Sequence, residues 1–192
     1  MKMILMVLLV LVYNFSNAQD EREFDGIKVK TSIKVEDGDS KTKLYLNGAG
    51  IREKMWINLY VQALYLKEYS NDSQQILNSN ETIATRLHIT SSMVTKKKLV
   101  QALEDGFVKS YKGDLNQIRE RLDKFLTFFE TQVEKDGYVD MVYSSNTEKT
   151  TVYLNTKFVG DIAGTDFRKA LFGIWLEDNC VDKTLRKRLL GM

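Results

Sequence analysis

The sequence predicts an α+β domain in which one large antiparallel sheet is backed by a helical layer. Three observations predict it. Apolar residues recur with period two through residues 27–66, 82–90 and 138–159, the spacing of strands with distinct faces. They recur at helical spacing through 95–134 and 165–190. The strands also come in blocks rather than alternating singly with helices, which excludes a βαβ repeat.

The chain opens with Met1-Lys2 and ten apolar residues, Met3–Val12, followed by Ser16-Asn17-Ala18. One positive charge, a short apolar run and small residues before a break fit a signal peptide over 1–18, cleaved after Ala18. The run is too short for a bilayer, which takes roughly 20 residues, so no stable membrane insertion is expected after cleavage. The expected destination is the periplasm or the medium, with residues 19–192 forming one domain.

Asp20–Asp25 is polar and reads as a frayed lead-in. Ile27–Val35 reads as one strand, closed by a Glu36-Asp37-Gly38-Asp39 turn of the Asp-Gly kind. Lys41–Asn47 resumes the alternation. Gly48-Ala49-Gly50 lacks a third glycine at position 53 and a following helix, so it is no phosphate loop. Its glycines mark a bulge, or close approach by a ligand or a second strand.

From there Ile51, Met55, Ile57, Leu59, Val61 and Ala63 take odd positions, and Arg52, Lys54, Trp56, Asn58, Tyr60 and Gln62 take even ones. Two aromatics among polar residues fit a lined cleft better than open water. A short helix is expected around Gln74–Leu77, and a strand over Thr82–Thr90. Two amphipathic helices broken at Gly113-Asp114 cover Thr95–Glu134, with Lys96–Lys98 as a solvated first turn ill-suited to a helix N-terminus. Tyr138–Ser144 and Thr150–Asn155 form a hairpin around Asn146, continued by Thr156–Val159 and broken by Gly160–Gly164. Thr165 caps the next helix, and Asp182 caps a last one that Gly191 stops.

Composition narrows the chemistry. Lysine plus arginine numbers 28 against 26 acids, too balanced to favour nucleic acid. Cys180 is the single cysteine, so no internal disulfide can form. His88, the single histidine, lies in the alternating Thr82–Thr90 segment and reads as a strand residue. One His and one Cys make no zinc or copper site of the usual kind, so neither metal nor cofactor is expected.

Three segments together resemble the exported bacterial branch of the chalcone isomerase-like family. They are Asn47-Gly-Ala-Gly-Ile-Arg52, Tyr60-Val-Gln-Ala-Leu-Tyr-Leu66, and the tail Phe167-Arg-Lys-Ala-Leu-Phe-Gly-Ile-Trp-Leu176 with Val181-Asp182 and Leu189-Leu-Gly191. The resemblance implies an open-faced β-sandwich with a ligand cleft between the large sheet and its helices. Plant members close a flavanone ring by intramolecular oxa-Michael addition, whereas others bind fatty acids.

It further implies that Arg52 reads a carboxylate or phenolate, or stabilises an enolate, a fit task for a permanently charged fork of donors. Tyr60 falls where isomerases have threonine and the fatty-acid-binding branch has tyrosine. Hydroxyl and amide groups that isomerases carry elsewhere fall near Val94, Gln101 and Ile174, which lack those hydroxyls. A tight turn at Glu53-Lys54 would set Tyr60 opposite Asn47, about 16 Å from Arg52 along the strand. A joint site therefore needs a looser connection, or a bulge near Gly48–Gly50.

Three functions stay open. The first is a non-catalytic pocket for an apolar or amphipathic small ligand with an anionic or carbonyl head, such as a fatty acid, bound by Arg52 and Tyr60 with Trp56 and Asn58 nearby. The second is a chalcone-type isomerase, an intramolecular lyase, with Arg52 as the candidate catalytic group. The third is a structural or partner-binding module. Catalysis is uncertain and leans to absent, and the oligomeric state is open.

Overall fold

A computed structural model describes residues 20–129 and 134–192 of the chain. The expected signal peptide lies outside the described residues. The strands are β1 (Glu21–Phe24), β2 (Ile27–Lys30), β3 (Ser32–Asp37), β4 (Ser40–Lys54), β5 (Ile57–Leu66), β6 (Ile83–Ile89), β7 (Tyr138–Ser144), β8 (Lys149–Leu154) and β9 (Lys157–Ala163). The helices are α1 (Ser73–Asn78), α2 (Lys96–Ser110), α3 (Arg119–Thr127), α4 (Thr165–Leu176) and α5 (Lys183–Leu189).

Strands β3 to β9 form one sheet in chain order, each antiparallel to the next, while β1 and β2 make a separate hairpin. The α+β architecture expected from the sequence is thus present, an antiparallel sheet with helices behind it. Alternation along β5 explains how one strand serves two cores. Tyr60, Leu64 and Leu66 join the core beneath the helices, with Phe107, Phe125 and Phe167. Val61, Ala63 and Tyr65 point the other way, into a smaller core with Val29, Val35 and Leu44. The three phenylalanines pack with ring centroids 5.5–5.9 Å apart, within the range of favourable aromatic pairs.

Several local expectations are corrected. The polar lead-in is strand β1, because Asp25 (φ 52°) and Gly26 (φ 75°) make a tight turn that pairs it with β2. Ile27–Val35 is two strands broken at Thr31, whose N–H donates to the Asp20 carbonyl at 2.8 Å. Gly160 does not break β9. A Cβ there would stand 2.3 Å from the Phe128 ring, so the glycine lets α3 lie against the strand. Thr165 does not cap α4; Gly164, at φ 112°, occupies the cap without a side-chain bond.

Gly48 and Gly50 do permit a close approach, but by a helix. A Cβ on Gly48 would stand 2.1 Å from the Arg188 carbonyl oxygen, and one on Gly50 2.7 Å from Arg188 Cδ. Beside them Asn47 donates to the carbonyls of Ser70 (3.0 Å) and Leu189 (2.8 Å), fastening α5 to β4.

Candidate functional site

The long alternating stretch is a hairpin, not one strand. Met55 (φ 50°) and Trp56 (φ 65°) form a two-residue turn, pairing Lys54 with Ile57 and Glu53 with Asn58. Such a turn brings an even residue opposite an odd one. The register then shifts at Leu59, and Arg52 stands opposite Tyr60. The bulge undoes the parity change of the turn, which is why the alternation reads as unbroken. Directly opposed residues share a face, with Cβ atoms about 5 Å apart. No 16 Å gap exists, because the turn falls at Met55-Trp56 rather than Glu53-Lys54 and the Leu59 bulge moves Tyr60 from opposite Ile51 to opposite Arg52; the second bulge, at Asn47, lies beyond the pair.

Tyr60 is buried, and its hydroxyl accepts from Trp175 Nε1 on α4 at 3.0 Å. Burial pushes the phenol up to about 12, against the opposing pull of the Trp175 hydrogen bond and the Arg52 charge. The hydroxyl therefore stays protonated at neutral pH and is no general base. Arg52 Nη1 donates to Asp182 Oδ2 at 2.7 Å and to the Glu53 carbonyl at 3.0 Å. Both ion-pair side chains are largely covered, at 19% and 14% exposure. Asp182 Oδ1 meanwhile accepts from the Thr184 and Leu185 N–H groups at 2.8 and 3.0 Å, capping α5.

Gln62 extends this row. It is 1% exposed, and its Nε2 donates to Thr85 Oγ1 at 3.0 Å. Thr85 spends its own proton on the Ala63 carbonyl at 2.9 Å, so it can only accept from Gln62. That fixes the amide's orientation and leaves Gln62 Oε1 buried without a partner.

The structure thus joins two of the four expected site residues. Trp56 lies in the turn at 94% exposure, and Asn58 Nδ2 donates to Asp25 Oδ2 at 2.8 Å. Sequence reasoning missed three neighbours. Gln62 was signalled by its place two residues beyond Tyr60 on one face, whereas Trp175 and Asp182 were visible only as parts of the tail helices, with nothing local to tie them to Arg52 or Tyr60. Of the three residues near which the resemblance sets the isomerases' polar groups, Val94 and Ile174 are buried apolar residues and Gln101 bonds Asp105 on the exposed side of α2. None of the three offers Arg52 a polar partner.

Two clefts lie elsewhere. One of about 460 Å³ on the open side of the sheet is lined by Ile33, Val35, Tyr65 and Tyr153 around the Arg86–Asp140 pair. Another of about 760 Å³ runs beside β1 and β2. Neither is lined by Arg52 or Tyr60, so both differ from the expected cleft between helices and sheet. Among the described residues, no group of three or more His, Cys, Asp or Glu could hold a metal ion, and no helix is long and apolar enough to cross a membrane.

A family model described as chalcone isomerase-like matches residues 21–191. No curated protein gives a significant match. Among solved structures, the chain is similar to a fatty-acid binding protein of Arabidopsis thaliana, at 17% identity and a TM-score of 0.65, over 86% of this chain and 92% of that one. At that identity the likeness is one of fold.

Proposed function

Because the chain belongs to the chalcone isomerase-like family, we propose that it is a non-catalytic binder of an apolar ligand with an anionic or carbonyl head, such as a fatty acid, whose head is held by Arg52 and Tyr60. The observation that carries this reading is their direct opposition on the helix-facing side of β4 and β5. A guanidinium beside a protonated phenol offers a carboxylate donors of two kinds. The fatty-acid binding protein of similar fold supports the ligand class. Export to the periplasm or medium completes the proposal, on the strength of the apolar run Met3–Val12.

In this reading Asp182 holds the seat of the ligand head. A ligand carboxylate must displace it from Arg52, and the tail must part α2 and α4 from the sheet, where Leu103, Phe107 and Ile174 now fill the space. Ring closure is no part of the proposal. The phenol of Tyr60 remains protonated and the isomerase positions hold apolar or outward-facing residues.

One observation favours a second reading. The 2.7 Å Arg52–Asp182 bond ties β4 to the start of α5, which is what a purely structural arginine would do. Mass spectrometry of lipids co-purifying with wild type and Arg52→Ala separates the two. Under the proposal, fatty acid bound to the wild type is depleted at least about tenfold in the variant, the equivalent of one charged hydrogen bond lost. Equal retention in a folded variant favours the structural tie.

A further inference from the structure

Two features at one end of the sheet run against local preference, and the ligand site uses neither. The first is the tip of the β4–β5 hairpin. Two-residue turns with both central φ angles positive favour Asn-Gly, yet this one holds Met55 and Trp56. Both side chains are offered to solvent, at 76% and 94% exposure. Bulky residues in the left-handed region cost stability, and exposed apolar side chains gain nothing from folding.

The second is Lys96-Lys97-Lys98, which opens α2 with no acid in its first turn, where the helix dipole disfavours positive charge. The chain that leads into the lysines starts close behind the tip. Thr90 donates through its N–H to the Leu59 carbonyl at 3.0 Å and through Oγ1 to the Asn58 carbonyl at 3.2 Å. The segment from Ser91 into α2 therefore leaves the sheet beside the tip, carrying Met93 at 46% exposure. Among the described residues, Lys54, Lys96, Lys97 and Lys98 form no salt bridge. The acids at this end include Asp25, which accepts from Asn58, and Glu53, beside the turn.

We propose that this end of the molecule docks peripherally on an anionic lipid surface, with Met55 and Trp56 entering the headgroup layer and Lys54 and Lys96–Lys98 facing lipid phosphates. A tryptophan and a methionine on a narrow tip suit the interface, where an amphipathic ring is at home, and flanking lysines supply attraction to anionic lipid. The apolar tip alone would also fit a protein partner; the lysines beside it select the membrane. The proposal stands independently of the Arg52 site, although docking would bring that site, a few residues behind the tip, close to a lipid reservoir.

The chain holds two tryptophans, and Trp175 is already buried, so a fluorescence shift on vesicles reports Trp56. The test adds the full chain to vesicles of phosphatidylcholine alone and of phosphatidylcholine mixed with phosphatidylglycerol. Residues 1–18 carry no tryptophan, and the same titration on the chain beginning at Gln19 separates binding by the tip from binding by the apolar run Met3–Val12. The expected result is a blue shift on the mixed vesicles only, weakened on the order of a hundredfold in apparent affinity when Lys96, Lys97 and Lys98 are all changed to Gln. Trp56→Ser should lose the shift and, with Met55→Ser, weaken co-flotation while leaving the melting temperature unlowered. An unshifted spectrum on mixed vesicles overturns the proposal. So does an equal shift on both vesicle types, or self-association through the tip without vesicle binding.

Discussion

Asp37 is 2% exposed, yet it accepts from Thr42 at 2.7 Å, Thr82 at 2.8 Å and Ser144 at 2.6 Å, joining β3 to β6 and β7. Burial alone would raise its pKa, but these hydroxyls outweigh it and bring the carboxyl to about 2. Its stabilising contribution, about 2 kcal/mol from that shift, is therefore present above pH 4 and lost as pH falls towards 2. Urea titrations across that range should show the loss in wild type and a flatter profile in Asp37→Asn. Residues of this kind were hidden in the sequence, where Asp37 reads only as part of a turn. Its partners lie up to 109 positions away, and no local pattern encodes them. Arg52 and Tyr60 were legible through the family resemblance, the alternation alone having marked only a polar face with two aromatics. Asp182, which answers Arg52 from 130 positions on, was visible as a helix cap and as part of the tail segment, but not as the partner of Arg52.

At the scale of elements, period changes disclosed most strands and helices, and their errors have physical causes. The β4–β5 turn was considered only at Glu53-Lys54, two residues before its place at Met55-Trp56, because the Leu59 bulge restored the parity that the turn had changed and left the alternation unbroken. Gly160 was taken for a break because a glycine weakens a strand, but here it makes room for the Phe128 ring. The hairpin itself yields a prediction. Replacing Met55-Trp56 with Asn-Gly supplies residues suited to positive φ and should raise stability by about 1 kcal/mol in chemical denaturation. The same replacement should abolish vesicle docking, the exchange of stability for function expected at a working surface. A loss of stability would show that the tip packs in the fold rather than serving outside it.

Across the whole molecule, β5 organises the design. It lies inside the sheet, its two faces feed separate cores, and its start carries Tyr60 against Arg52. The fold class followed from blocks of strands and helices, since burying a sheet face under helices leaves few arrangements. The site followed less fully, because its electrostatics depend on α5, a short helix whose seating relies on Gly48, Gly50 and Asn47. The central claim is that Asp182 occupies the place of a ligand head at Arg52. It is tested most directly by titrating a fluorescent fatty acid into wild type, Asp182→Asn and Arg52→Ala. Asparagine still caps α5 but carries no competing charge. The account predicts affinity at least about tenfold tighter in Asp182→Asn and at least tenfold weaker in Arg52→Ala, each tenfold corresponding to about 1.4 kcal/mol. Unchanged affinity in both folded variants would contradict it.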